Sequence, residues 1–461
     1  MKYIIFAAQS PNARFTFFNS VILGSLLSLA CTVSNDKDGG MEGVVVPERN
    51  DRPAAESFAL WAAPGDNLLA ALAGVEGHDK ATVPAPQNFV LGIMLSEAGA
   101  YSSAALAFQP NNTPFRAKSM QCMSSTLPDA VTEVCSALAE PDRRVVFIDD
   151  SPNFAQDRTL GRKILGCARE AGFEYLVIAS LEESGEALQA RGYVSRTASG
   201  RFLREPQLAG LVEDGLRLGF TPVGLPNSEF CTECPLAIAL GTDARAQATS
   251  LEEQILNADP EAKVLVWAAF GQAYKQPWGQ AAPYVNSLAS YVYTDTGVEP
   301  YSLVQITVDG NTSLGPAAPS GIYLASGPDN GSCSGSYSPR SATGLPTHNG
   351  VAFHIAPRSE AGGTDSERWE WLHTAPEERM AVTPECATCA PEQRLLVQAY
   401  PAGVDFSDRV PSDQALCQAG VSCQLSLPAG DYQLVVWSEE AQLTSTPVTL
   451  AAGASTIVSM N

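Results

Sequence analysis

The chain has 461 residues, of which 45% are hydrophobic and 17% charged, with 37 Gly, 32 Pro and a formal net charge of −22. That composition describes two or three globular domains with many loops and excludes a disordered chain. The acidity, with no basic stripe, excludes a nucleic-acid partner, because binding phosphates needs clustered Lys and Arg; solubility is the simpler reason for it.

Lys2 and Arg14 precede an apolar run over residues 15–30 that ends Ser28-Leu29-Ala30-Cys31. A basic end, an apolar stretch and small residues before a cut describe a signal peptide over residues 1–30. The run is too short for a transmembrane helix, which needs about 20 apolar residues. Cys31 at the cut site is similar to a bacterial lipobox, with Ser28 where that motif prefers Leu. Lipidation of Cys31 would make the lipid membrane a partner and place the protein in the cell envelope, anchored to the outer membrane. Ser28 and Ala30 also suit the ordinary signal peptidase, which would leave Cys31 as a free thiol. Residues 31–85 then read as a tether and linker, with polar, Gly-rich residues 34–40.

Residues 55–72 have helical spacing, residues 88–96 (NFVLGIMLS) are apolar enough for a buried strand, and residues 124–138 are again helical. A regular alternation follows. Strands are expected at 144–148, 174–180, 220–224, 263–269 and 304–308, with helices at 160–171, 205–218, 244–257 and 284–296 between them. Pro206 just inside one helix and Gly219 just past its end give the usual asymmetry. The pattern implies an α/β class: a mostly parallel sheet with helices on both faces, over residues 86–310. Residues 311–389 are rich in Gly, Ser and Pro and read as a loop-rich connection. Residues 390–461 hold short strands at turn-like spacing and read as a small C-terminal β-sandwich domain.

Eleven cysteines fit an exported protein. With Cys31 set aside, close spacing suggests Cys122 with Cys135, Cys231 with Cys234, Cys386 with Cys389, and Cys417 with Cys423, leaving Cys167 and Cys333. Spacing alone does not fix connectivity, and the two CxxC units lie too far apart for an obvious zinc site.

Ligands in open α/β sheets bind beyond the carboxyl ends of the strands. The residues there or on neighbouring helix starts include Asp149, Asp150, Arg158, Arg204, Glu205, Arg245, Gln272 and Lys275. Asp149 and Asp150 are the candidate catalytic pair, but adjacent residues on an extended chain point opposite ways. Loop capping, helix capping by Glu205 and a solvated Lys275 are the plain alternatives. No GxGxxG, P-loop or GxSxG is present, so no cofactor is expected. His78, His348, His354 and His373 all fall outside residues 143–305, and His348 and His354 read as surface loop rather than metal ligands.

Residues 172–181 (GFEYLVIASL), 188–193 (LQARGY), 200–206 (GRFLREP), 218–220 (LGF), 244–248 (ARAQA) with Leu251, 263–275, and 296–300 (TGVEP) with Gln305 resemble the erythromycin-esterase-like and ChaN/Tiki-like proteins. The resemblance covers about a third of the chain. It implies an α/β fold, frequent export, and hydrolase activity or haem binding in some members. The family's Glu after the first strand matches Asp150, and the His two positions on matches Pro152. A second family His is replaced by Asp157, a Glu by Ala179 and a His by Gln272, while Arg158, Arg204, Glu205, Arg245 and Gln305 are kept. The resemblance thus implies a frame without its proton-transfer groups, since Pro, Ala and Gln do not titrate. Three readings follow: a degenerate enzyme domain that binds a small ligand or envelope protein, a metal-assisted hydrolase using Asp149 and Asp150, or a structural envelope lipoprotein.

Overall fold

Short β-branched runs separated by amphipathic helices have one economical packing, a sheet covered on both sides. In the computed structural model the strands are β1 (Val145–Asp150), β2 (Tyr175–Ile178), β3 (Thr221–Gly224), β4 (Val264–Ala269), β5 (Tyr301–Val308), β6 (Gly321–Ser326) and β7 (Gly350–Ile355). They form one sheet in the order β3-β2-β4-β1-β5-β7-β6. Only β6 runs against its neighbour. The structure describes residues 68–76, 85–108, 128–152, 154–226, 236–269, 271–276, 286–308, 321–326, 348–355, 379–384, 393–421, 423–439, 442–451 and 456–460. The expected signal peptide, Cys31 and residues 32–67 and 77–84 of the expected tether and linker, which include residues 55–67 of the expected first helix, lie outside these, whereas residues 68–76 of that linker form a helix.

Strand residues alternate between two cores. Val146, Ile148, Leu265 and Leu303 face one way, onto α4 (Ala130–Leu138), α5 (Asp157–Glu170) and α7 (Pro206–Arg217). Val145, Phe147, Val264 and Val266 face the other way, onto α8 (Leu236–Leu251) and α9 (Leu288–Thr296). The short α6 (Gly185–Arg191) follows β2. α5 packs closely because Gly161 lacks a side chain: a Cβ there would lie 2.3 Å from Leu211 Cδ1 and 2.6 Å from Trp267 Cζ3. α7 begins as expected, with Pro206 in its first turn and Glu205 as its cap.

Residues 88–96 correct one expectation. They are not a strand but part of α2 (Ala85–Glu97), which packs with α1 (Leu68–Glu76) and α3 (Tyr101–Phe108). Residues 91–100 are all buried, so no polar face marks the helical period. Residues 311–389 correct a second. They contain β6 and β7, which complete the large sheet, and β8 (Arg379–Pro384), which joins the C-terminal region. Their apolar runs are brief and flanked by Gly, Ser and Pro, which conceals them in the sequence.

The C-terminal region is a β-sandwich of two sheets. One has the order β10-β9-β12-β13, from β9 (Arg394–Pro401), β10 (Asp413–Gln418), β12 (Gly430–Trp437) and β13 (Gln442–Leu450). The other is β11-β8-β14, with β11 (Cys423–Ser426) and β14 (Thr456–Met460). Leu395, Val397, Ala415, Leu425 and Leu434 form their shared core. Leu396 and Leu416, on the opposite face of the larger sheet, pack against the α1–α3 cluster. A second seam joins the loop after α6. Arg196 N donates to the Asp408 carbonyl at 2.6 Å and Val410 N to the Val194 carbonyl at 3.0 Å. Asp408 Oδ1 accepts from Ser195 Oγ at 2.8 Å and Thr197 Oγ1 at 2.6 Å.

Cys417 pairs with Cys423 as expected, but Cys135 pairs with Cys167 rather than Cys122. Packing of α4 beside α5 decides the partner, which spacing in the chain cannot show. Cys122, Cys231, Cys234, Cys333, Cys386 and Cys389 lie outside the described residues. Non-reducing peptide mapping should recover a Cys135–Cys167 peptide. Cys167→Ser should lower the unfolding free energy by about 3–4 kcal/mol, as expected for a loop of this length; a recovered Cys122–Cys135 peptide would refute the pairing.

Candidate functional site

β1 ends in two carboxylates, and the alternation of the strand sends them to different faces. Asp149 turns toward the loop after β4, where the backbone N–H groups of Gly271 and Ala273 reach it. Asp150 turns toward the first turn of α5. Its carboxylate takes a two-pronged contact from Arg158, with Nε 2.9 Å from Oδ1 and Nη2 3.0 Å from Oδ2. Arg158 is 1% exposed.

A second carboxylate, Glu205, stands 3.9 Å from Arg158 Nη1. It is the cap of α7, accepting from Gln207 N at 3.0 Å and Leu208 N at 2.8 Å, and it also accepts from the Tyr101 hydroxyl at 2.9 Å. Burial raises Asp150 and Glu205 above the ordinary carboxylate range, and Arg158 pulls both back. Burial acts to lower Arg158, but Asp150, Glu205 and Asp157 together hold it above its ordinary value. Asp149 has no such cation: burial, with Asp157 and Asp150 nearby, pushes it well up against the opposing N–H groups.

Next to this chain of charges lies a histidine that the sequence had placed elsewhere. His354 sits near the end of β7, 3% exposed, on the same sheet. Its Nε2 is 2.9 Å from Gln305 Oε1 and 3.9 Å from Asp157 Oδ1. Gln305 Nε2 donates to the Asp149 carbonyl at 2.6 Å, so its Oε1 is the end facing the ring. His354 Nε2 therefore carries the proton. Burial, helped by Lys163, lowers the His354 pKa to about 3, so the ring is neutral. Asp157 Oδ2 accepts from Ser151 N at 3.1 Å.

The structure thus brings Asp150, Arg158, Glu205 and Gln305 together, and adds Asp157, His354 and Tyr101, which the sequence did not single out as site residues. The reading of His354 as surface loop is corrected: it is buried on β7, within the same sheet. The only sequence signal for it was the apolar run 351–353 beside it. The remaining expected residues are elsewhere. Gln272 Oε1 accepts from Leu288 N at 2.8 Å and caps α9. Arg245 is exposed on α8, pairs with Asp295 and lies over the Tyr291 ring. Lys275 pairs with Glu299 at 2.5 Å. Arg204 Nε donates to the Arg196 carbonyl at 2.9 Å. His348, just before β7, lies 6.3 Å from the Tyr274 ring and is lowered to about 4 by burial and Lys275.

Within the network the charged groups and the histidine proton are already engaged. Arg158 is neutralised, Asp150 is held by both oxygens, and the His354 proton is already donated. Among the described residues no three His, Cys, Asp or Glu side chains are grouped to hold a metal ion.

No protein-family model matches the chain, and no curated protein does. Among solved structures, the type III effector HopBA1 aligns with a TM-score of 0.27 and 13% identity, over 40% of this chain and 87% of the effector. RRSP, a MARTX toxin effector domain from Vibrio vulnificus CMCP6, aligns at 0.26 and 14% identity, over 45% of this chain and 42% of that one. A structure described as bacterial protein toxins aligns at 0.27 and 14% identity, over 45% and 44%. The chain spans less than half of the latter two. Likeness at this level says nothing of activity.

The buried His354 gives acid sensitivity of definite sign. Between its ordinary pKa of about 6.5 and the folded value of about 3, the unfolded chain binds a proton that the folded chain refuses. Stability from this group is complete above the upper value and is lost as the pH falls below it. Between pH 7 and 5, wild type should lose about 2 kcal/mol more than His354→Gln in denaturant titrations. Parallel pH profiles for the two proteins would show that His354 is not buried as a neutral ring.

Proposed function

We propose that this is an exported, lipid-anchored cell-envelope protein whose α/β domain, similar to erythromycin-esterase-like and ChaN/Tiki-like proteins, is a non-catalytic scaffold that binds a ligand or partner. The observation that carries the scaffold reading is the grip of Asp150 on Arg158. The arginine kept from the resemblance is fully buried and spends its charge within the fold. The signal-like N-terminus ending at Cys31 supports export and anchoring, and no helix among the described residues is long and apolar enough to cross a membrane. The disulfides suit an oxidising compartment.

A second reading, a hydrolase, draws on one specific observation, the proximity of His354 to Asp157 at 3.9 Å. The low His354 pKa weighs against it, because a general base works best with a pKa near the operating pH.

Two measurements test these readings. Palmitate labelling of the chain made in a bacterial host should mark the wild type and vanish in Cys31→Ser, with the variant leaving the membrane fraction; unlabelled wild type would remove the anchor. Arg158→Met should cost about 3–5 kcal/mol by stranding buried carboxylates, while a panel of aryl esters and amides is turned over no faster than by buffer. Turnover by wild type that disappears in a folded Asp150→Asn or His354→Gln protein would establish the hydrolase instead.

A further inference from the structure

α5 and α7 each lead from one parallel strand towards the next, so their first turns stand at the carboxyl end of the sheet. Open α/β sheets take ligands at that end. In this chain a separate part of the structure reaches it. Tyr101, the first residue of α3, donates to Glu205 Oε1 at 2.9 Å, and both residues are buried. Phe202, in the 3-10 turn just before α7, packs against the α1–α3 cluster, and Glu97 at the end of α2 faces Arg201.

The three helices have a core of their own. Among the described residues, their buried apolar side chains, Leu72, Leu91, Met94 and Leu95 among them, cluster with Leu396 and Leu416 of the sandwich. That cluster is distinct from the two cores that cover the sheet, and Phe202 is the side chain that packs on both it and the sheet's first core. Gln414 of β10 also donates to the Glu97 carbonyl. Against the α/β domain the contact is therefore mainly polar, a phenol on a carboxylate and a carboxylate facing a guanidinium.

Such a contact separates more readily than an apolar one. Water replaces the hydrogen bonds on both sides, so each contributes little net free energy, whereas exposing a shared apolar core does not recover its cost. A segment with its own core is also the kind of unit that opens ahead of the whole molecule. α1, α2 and α3 have 9, 13 and 8 residues. Helices this short do not persist alone in water, so the segment would melt when it leaves its seat.

We propose that α1–α3 is an autoinhibitory cover, which opens as one unit and, in opening, bares Glu205 and the Phe202–Arg204 turn to a ligand. Tyr101 holds it shut by occupying the carboxylate that a hydroxyl or amide of the ligand would take. The proposal rests on the binding-scaffold reading and names how access to that scaffold is controlled.

Hydrogen exchange of the full chain under native conditions, read by mass spectrometry across a urea series, tests it. Amides of α2 and α3 should share one opening free energy, lower than that of β1 and β4 and with a shallower urea slope, because the opening exposes less surface. Carbodiimide labelling of Glu205, located by peptide mapping, should follow the same shallow opening. Tyr101→Phe keeps the ring and removes the bond to the carboxylate. It should speed exchange in α2 and α3 and labelling of Glu205 by one common factor, about tenfold. The idea fails if α2, α3, β1 and β4 share a single free energy and slope, if the amides of α2 and α3 open independently of one another, or if Glu205 is labelled only through global unfolding. Circular dichroism checks folding; should Tyr101→Phe not fold, wild-type exchange and labelling decide between these outcomes. Ester turnover by wild type would remove the non-catalytic reading and leave the exchange pattern standing. Uniform exchange without turnover would remove only the cover.

Discussion

A guanidinium sealed from water is tolerable only where carboxylates surround it, and that constraint organises this molecule. Arg158 draws Asp150 from the end of β1 and Glu205 from the start of α7, and Glu205 reaches on to Tyr101 of α3. Each partner is itself needed elsewhere, Glu205 to cap its helix. Desolvation would make any one of these charges unfavourable alone. Together they fix how the sheet, two covering helices and the N-terminal helices meet. A group so committed to the architecture is a poor candidate for work on a substrate.

The two parts of the described chain are likewise interdependent. The α1–α3 cluster packs against the α/β domain side at Phe202 and against Leu396, Leu416 and Trp437 of the C-terminal sandwich. The hydrogen bonds around Asp408 form a polar seam on the loop after α6. The sandwich therefore braces the loop that follows α6, and is more than an appended module.

Much of the fold was legible because β1, β2 and β4 alternate with helices whose polar faces show the 3.6-residue period. Pro206 and Gly219 marked the limits of α7 in plain text. α2 was misread because a helix buried all round lacks that period, and nothing in NFVLGIMLS distinguishes it from a strand. β6 and β7 were hidden among Gly and Ser, and with them His354. The opposed directions of Asp149 and Asp150 followed from strand geometry, and so did the start of α7 at Glu205. Convergence of Asp157, His354 and Gln305 did not, because it depends on β7 pairing beside β5, a contact between segments far apart in the chain.

The bridge between Cys135 and Cys167 encloses β1 in a covalent ring. Both sulfurs precede β4 and β5 in the chain, the strands that flank β1 in the finished sheet. Oxidation can therefore tie α4 to α5, the helices on either side of β1 in the chain, before the flanking strands are in place. The nascent sheet would then start from a small knotted-down hub, to which later strands have only to add.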